Sequence, residues 1–226
     1  MKQDISTSVW SSFFGHNPDI ISSLQASATL LEFNPKECIL SQQDKSRDVY
    51  YMLKGKAKAV SISVEGQEVW LETIEPGSLF GEVSALGNGD RSATVIAKTK
   101  AQVAKFKGPD FLNLMEKHGS IGIAVSKLLV TRINRTTRRM CELSSLSAPG
   151  RIYAELLRLA EYDLEDKPNS CCIKIIPPNT EIATLVNSTR ETVSRTLSEL
   201  ENDGLIERKG AKVIICSPDL LMDKIQ

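Results

Sequence analysis

Histidine is scarce in this chain, its cysteines form no pattern, and neither sign of charge is in excess. His16 and His118 are the only histidines. Neither sits in a cluster of Cys, Asp or Glu, so both read as surface or capping residues, and no metal is expected. The five cysteines, Cys38, Cys141, Cys171, Cys172 and Cys216, are odd in number and lack C-x-x-C spacing. That argues against a zinc site or a disulfide framework and reads as small buried hydrophobes in a reducing compartment. No apolar run approaches the roughly 18 residues needed to span a bilayer. The opening Met1-Lys2-Gln3-Asp4 lacks the basic-then-apolar layout of a signal peptide. A cytoplasmic location without membrane contact is therefore expected. G-x-S-x-G, H-E-x-x-H and P-loop motifs are all missing, which leaves an enzyme little to work with. Lys plus Arg and Asp plus Glu number 28 each, a formal net charge of zero. A nucleic-acid binder of that composition must gather its positive charge locally.

The chain has 226 residues, 41% of them apolar and 25% charged, as in a globular protein of one or two domains. Residues 30 to 107 read as strands. Val49 to Leu53, Ala57 to Val64, Glu68 to Thr73, Ser92 to Ala97 and Ala101 to Phe106 are short runs of mixed apolar and polar residues. Gly55, Gly66 and Pro76-Gly77 punctuate them, a rhythm that predicts a jelly-roll-like barrel. After Pro109 the period changes. Phe111 to Lys117 reads as a short helix and Gly119 to about Leu146 as a long one. Leu129, Ile133, Thr136, Met140 and Leu143 step by four, three, four and three along it. That is a heptad seam, flanked by Arg132, Arg135, Arg138 and Arg139, on which a second helix is expected, the alternative being that it packs on the protein's own sheet.

Ser147-Ala148-Pro149-Gly150 breaks the pattern and reads as a domain boundary. Beyond it come a helix (Arg151 to Glu161), a strand (Cys172 to Ile176), two helices (Thr180 to Val186 and Arg190 to about Asp203) and a hairpin turning at Lys209-Gly210. That order predicts a winged helix-turn-helix. The expected architecture is α+β: a β-roll over residues 1–118, a dimerisation helix over 119–147 and a winged helix-turn-helix over 148–226.

At 100° per residue, Ser194, Glu191 and Arg195 fall within about 140° of Arg190, while Val193, Leu197 and Leu200 share the far side. Such a helix can pack one face on its domain and offer the other to the major groove. There Arg can bind guanine bidentately and Glu can accept from cytosine. Asn187 stands where the turn needs a left-handed residue. Two caps compete. Ser188-Thr189-Arg190-Glu191 matches a capping box that would fold Glu191 back, whereas a cap at Thr189 would free it. From Gly150 onward ten basic residues face thirteen acidic ones. Binding would then rest on a few aimed contacts, with Lys209 and Lys212 of the wing on phosphates. Pro178-Asn179 precedes the first of the two helices, and Asn179 is the candidate cap there.

Phe80-Gly81-Glu82 followed by Arg91-Ser92-Ala93-Thr94-Val95 forms the second constellation. It suits a cyclic phosphodiester on a ribose: Arg91 and Ser92 for the phosphate, Glu82 for the 2′-hydroxyl, Gly81 for close backbone approach. An Arg91–Glu82 ion pair bracing two strands, without a ligand, is the plain alternative.

Together these stretches and Ser188-Thr189-Arg190-Glu191-Thr192-Val193-Ser194-Arg195 resemble the two signatures of the Crp/Fnr family of bacterial regulators, over nearly the whole chain. The resemblance implies a homodimeric transcription regulator with cAMP as effector. It implies ribose on Glu82, phosphate on Arg91 and Ser92, and adenine at Thr136 and at Thr137 of the other subunit. It implies a palindromic operator with half-sites like TGTGA, and RNA polymerase as a further partner. Thr137 departs from the Ser more usual in cAMP-responsive members. The lone Cys38 before the barrel departs from the iron–sulfur branch. Remaining alternatives are a family member that is effector-independent or senses another small molecule, and a cyclic-nucleotide-binding regulatory subunit acting on a protein partner.

Overall fold

The computed structural model describes residues 7–62, 68–87, 90–161 and 170–225. Two compact units divide between Arg132 and Ile133.

The first unit opens with two helices that the sequence reading missed, α1 (Thr7–Phe14) and α2 (Pro18–Ser27). Asn17 caps α2, its side chain accepting from the Asp19 and Ile20 amides ahead of Pro18 in the first turn, a standard helix start. Eight strands follow: β1 (Thr29–Phe33), β2 (Cys38–Leu40), β3 (Val49–Lys54), β4 (Ala57–Ile62), β5 (Glu68–Ile74), β6 (Leu79–Phe80), β7 (Thr94–Ala97) and β8 (Ala101–Phe106). A short helix, α3 (Glu82–Leu86), lies between β6 and β7. The strands form two four-stranded sheets ordered β1-β8-β3-β6 and β2-β7-β4-β5, all pairs antiparallel.

One core fills the space between the sheets, with Tyr50, Met52, Ile74, Phe80, Val95 and Val103. A second covers the outer face of the β3 sheet, where Tyr51, Leu53 and Phe106 meet Trp10 and Leu24 of the N-terminal helices. Phe111, Ile121 and Val125 close that core from α4 (Gly108–Lys117) and α5 (Gly119–Ser145). Val49 to Leu53 are therefore buried at every position. A strand covered on both faces reads as an apolar run and not as an alternation. Pro109 proves to lie in the first turn of α4, where proline is tolerated. It begins that helix instead of separating it from the strands.

The second unit holds the later part of α5, α6 (Ala148–Leu159), β9 (Cys171–Ile173), α7 (Asn179–Leu185), α8 (Arg190–Asn202), the hairpin β10 (Ile206–Lys209) and β11 (Lys212–Ile215), and a final short helix α9 (Pro218–Asp223). β10, β11 and β9 form one antiparallel sheet. Its core joins Ile152 and Leu156 of α6 to Ile182 of α7, Val193 and Leu197 of α8, and Val213 and Ile215 of β11. Ser147 to Gly150 forms the start of α6: the Ser147 side chain accepts from the Gly150 amide and Pro149 occupies the first turn. Asn179, expected as a cap, does not cap α7. It is the first helical residue, preceded by Pro178 with no side-chain cap. All five cysteines are free, but none is the buried hydrophobe expected: Cys38, Cys141 and Cys216 are exposed, and Cys171 and Cys172 are half-buried at the edge of the β9 sheet.

Gly55 joins β3 to β4 with φ at +82°, and a Cβ there would lie 2.2 Å from the Lys100 carbonyl oxygen. Gly55→Ala is both strained and obstructed. It should cost about 1 kcal/mol or more, seen as a lowered urea midpoint at an unchanged m-value.

Candidate functional site

Glu82 opens α3 immediately after β6 and is completely buried. A buried carboxylate requires a partner, and the partner is not Arg91. Arg132 of α5 donates from Nη1 to Glu82 Oε1, and from Nη2 to the Leu79 carbonyl at 2.9 Å. Nη2 also pairs with Glu72 Oε1 at 2.8 Å. Glu82 Oε2 is buried with no hydrogen-bond partner among the described residues. One oxygen of this carboxylate is thus neutralised from α5, while the other remains an open acceptor for a hydroxyl donor.

Arg91 is 3% exposed. Its Nη1 donates to the Gly81 carbonyl at 2.9 Å and to Ser84 Oγ at 2.6 Å. Its Nη2 donates to Ser46 Oγ and the Asp48 carbonyl, both at 2.8 Å. All four acceptors are neutral. Burial, the largest influence, pulls the Arg91 pKa below its ordinary value, against weaker upward pulls headed by Tyr50. A buried cation bonded only to dipoles is a ready site for an anion. Gly81 has φ at +80°, and a Cβ there would meet Arg91 Nη1 and the Asp48 carbonyl at 2.9 Å each. The close approach that this glycine permits is that of the guanidinium. Ser92 is exposed in the segment just before β7.

In sequence Arg132 is one of a set of basic flanks along α5. Its place beside Glu82 had no local signal, because the two are 50 residues apart. On α5, Leu129 packs against the core of the first unit. The uncovered large apolar residues are Ile123, Val130, Ile133, Met140 and Leu143, at 60%, 55%, 63%, 69% and 49% exposure. At 100° per residue, Val130, Ile133, Thr137 and Met140 fall within about 80°. Thr137 therefore lies within the uncovered stripe, and Thr136 lies toward the Leu129 edge.

In the second unit Thr189 is the N-cap of α8, its side chain accepting from the Thr192 amide at 3.2 Å. The capping box from Ser188 is not formed, and Glu191 is exposed. Arg190, Ser194 and Arg195 are exposed beside it. Asn187 takes the left-handed conformation, φ +49°. A guanidinium that sequence reading did not single out holds this turn. Arg151 Nε donates to the Val186 carbonyl at 2.7 Å, Nη2 to the Asn187 carbonyl at 3.0 Å, and Nη1 to the Leu146 carbonyl at 2.9 Å. On the wing, Arg208 is bonded to Glu201, and Lys209 pairs with Glu207 at 3.0 Å. Lys212 is exposed on the same hairpin and joins neither of these pairs.

The family model for the cyclic nucleotide-binding domain matches residues 30–118. That for the Crp-like helix-turn-helix domain matches residues 150–224. The cAMP-activated global transcriptional regulator CRP of Salmonella typhimurium is 31% identical over 186 residues, covering 81% of this chain and 88% of that protein. This chain belongs to the Crp/Fnr family. The cAMP-activated global transcriptional regulator Vfr of Pseudomonas aeruginosa is 27% identical over 207 residues, 88% of this chain and 96% of Vfr. The structure of CLP, a c-di-GMP-responsive global regulator from Xanthomonas campestris, matches with a TM-score of 0.74 at 21% identity, over 88% of this chain and 99% of CLP. At that identity the likeness speaks for the fold alone. As a Crp/Fnr member the chain is a DNA-binding transcription regulator and not an enzyme.

The cap assignment is open to direct test. Thr189→Ala should cost about 1 kcal/mol by removing the acceptor at the start of α8, while Ser188→Ala should stay within about 0.5 kcal/mol. Equilibrium denaturation of both variants decides between the two caps, and the reverse order would restore the Ser188 box.

Proposed function

We propose that cAMP, bound in the first unit, controls the affinity of this regulator for a palindromic operator, and that the protein works as a cytoplasmic homodimer that also meets RNA polymerase. The observation that carries the reading is the pair of buried, incompletely answered charges around Gly81. Among the described residues, Arg91 has no anionic hydrogen-bond partner, and Glu82 Oε2 has no donor. A cyclic nucleotide offers one phosphate charge and, two ring bonds away, a ribose hydroxyl. The phosphate would lie on Arg91 and Ser92, the 2′-hydroxyl on Glu82 Oε2, and Gly81 would line the site. The uncovered stripe of α5 is the surface for the second copy. It would bring Thr137 of the partner subunit to the adenine edge that Thr136 meets from its own chain.

A second reading, in which the regulator needs no effector, is favoured by the four bonds that already satisfy the terminal nitrogens of Arg91. Calorimetric titration with cAMP and cGMP separates the two. Arg91→Ala removes a charged donor worth about 1.5–3 kcal/mol, so cAMP affinity should fall about 10- to 150-fold. Four acceptors lose their donor as well, so the melting temperature should drop. Undiminished affinity in the folded variant, or a wild type that binds neither nucleotide, would overturn the cAMP reading.

Arg190, Glu191, Ser194 and Arg195 would face the major groove, with the first two reading base pairs. Lys212, and Lys209 once it leaves Glu207, would touch phosphates. Arg190→Ala should cost about 1–3 kcal/mol and relax one position of each half-site in selection from a randomised DNA pool. Lys212→Ala should weaken all sequences alike and lower the salt slope by about one unit. Lys209→Ala should do less, its charge being partly answered already. Recovery of the wild-type motif by Arg190→Ala would show that α8 enters the groove in a different register.

A further inference from the structure

The elbow between α5 and α6 is built around a buried carboxylate that the proposed function does not use. Glu155 of α6 is 3% exposed. Its Oε2 accepts from Arg158 Nη1, one turn further along the same helix. The same oxygen lies 4.0 Å from Arg139 Nη2 of α5. Arg158 turns its other terminal nitrogen to Glu142 Oε1 of α5 at 2.6 Å. Two charges from each helix thus alternate in sign and sum to zero. Burial, the dominant influence, pushes the Glu155 carboxyl above its ordinary pKa, while Arg158 and then Arg139 pull it back. Arg139 is in turn held below its ordinary value, chiefly by burial. Desolvation opposes this arrangement, so it is better explained by the geometry it enforces than by added stability.

That geometry concerns α8. The apolar side of α6, Ile152 and Leu156, shares one core with Val193 and Leu197 of α8. The charged edge of α6, Glu155 and Arg158, grips α5. Arg151, near the start of α6, bonds the last carbonyl before the elbow, Leu146, and the two turn carbonyls ahead of α8, Val186 and Asn187. α6 is therefore joined to α5 by charges and to α8 by packing.

We propose that Glu155 and Arg158 are positioning residues for the recognition helix. Their network with Arg139 and Glu142 latches the elbow, so the last turns of α5 and the helix-turn-helix move as one body. A displacement of α5 then reaches α8 undiminished. The regulatory part of this inference rests on the cAMP reading above; the rigidity part does not.

The test uses the full-length wild type, Glu155→Gln and Arg158→Lys, the last keeping the charge but losing the fork that reaches both carboxylates. Three quantities are measured: cAMP affinity by calorimetry, affinity for a labelled palindromic operator with and without cAMP, and amide hydrogen exchange across residues 139–160. Glu155→Gln should leave cAMP affinity unchanged and speed exchange around residues 146–152. It should shrink the ratio of the two DNA affinities about fivefold or more. Arg158→Lys should fall between the Glu155→Gln variant and the wild type, and it remains informative if Glu155→Gln fails to fold. Unchanged exchange and an unchanged ratio in a folded variant would overturn the latch. If cAMP does not alter wild-type DNA binding, the effector reading fails instead. The latch is then judged by exchange and by DNA affinity alone. Exchange should quicken and DNA affinity should fall in the variants, and constancy of both would refute it.

Discussion

A carboxylate taken out of water must be met by a cation, and much of this structure is arranged around that requirement. Glu82 in the first unit and Glu155 in the second are both almost wholly buried, and in each case an arginine of α5 answers: Arg132 for Glu82 and Arg139, with Arg158, for Glu155. Arg132 and Arg139 are seven residues apart and so lie along one edge of the helix. Removing Arg132 would strand the buried Glu82 charge, which is far more costly than losing a surface pair, whereas Glu155 without Arg139 would keep Arg158. The helix with the uncovered apolar stripe thus also carries a counter-ion for each unit.

The same requirement separates charges bound into the fold from charges left exposed. Arg151 directs its fork at three backbone carbonyls and shapes the turn. Arg208 is tied to Glu201. By contrast, Arg190, Glu191 and Arg195 stand in solvent at the start of α8. In the first unit the distinction is subtler, because Arg91 and Glu82 are both bonded and both incompletely answered. Among the described residues, Arg91 lacks an anion and Glu82 lacks a second donor. A residue can hold the fold with most of its valence and still offer the remainder to a ligand.

Several features were legible from local sequence because local physics makes them. Strand punctuation by glycine, the left-handed Asn187, the apolar far side of α8 and the two motifs all depend on neighbours within a few residues. Alternation and helical period revealed the order of elements, and the order revealed the winged helix-turn-helix. Other features were not legible. α1 and α2 are short and held by packing on Tyr51 and Phe106, and the one local signal for them, the Asn17-Pro18 start of α2, stands alone. Ser188 and Thr189 are both capping types, serine the better of the two, and only the backbone path into α8 chose Thr189.

The sequence by itself determined the succession of elements, which follows from periodicity, and it carries the two motifs that resemble those of the Crp/Fnr family, because each motif lies within a short stretch of chain. Tertiary structure decided which charge meets which. Arg132 finds Glu82 across 50 residues, Arg91 finds Ser46 across 45, and Arg151 finds the turn across 35. Such pairings are set by where strands and helices bring their ends in space, and the desolvation of a buried charge makes them obligatory once the fold has formed.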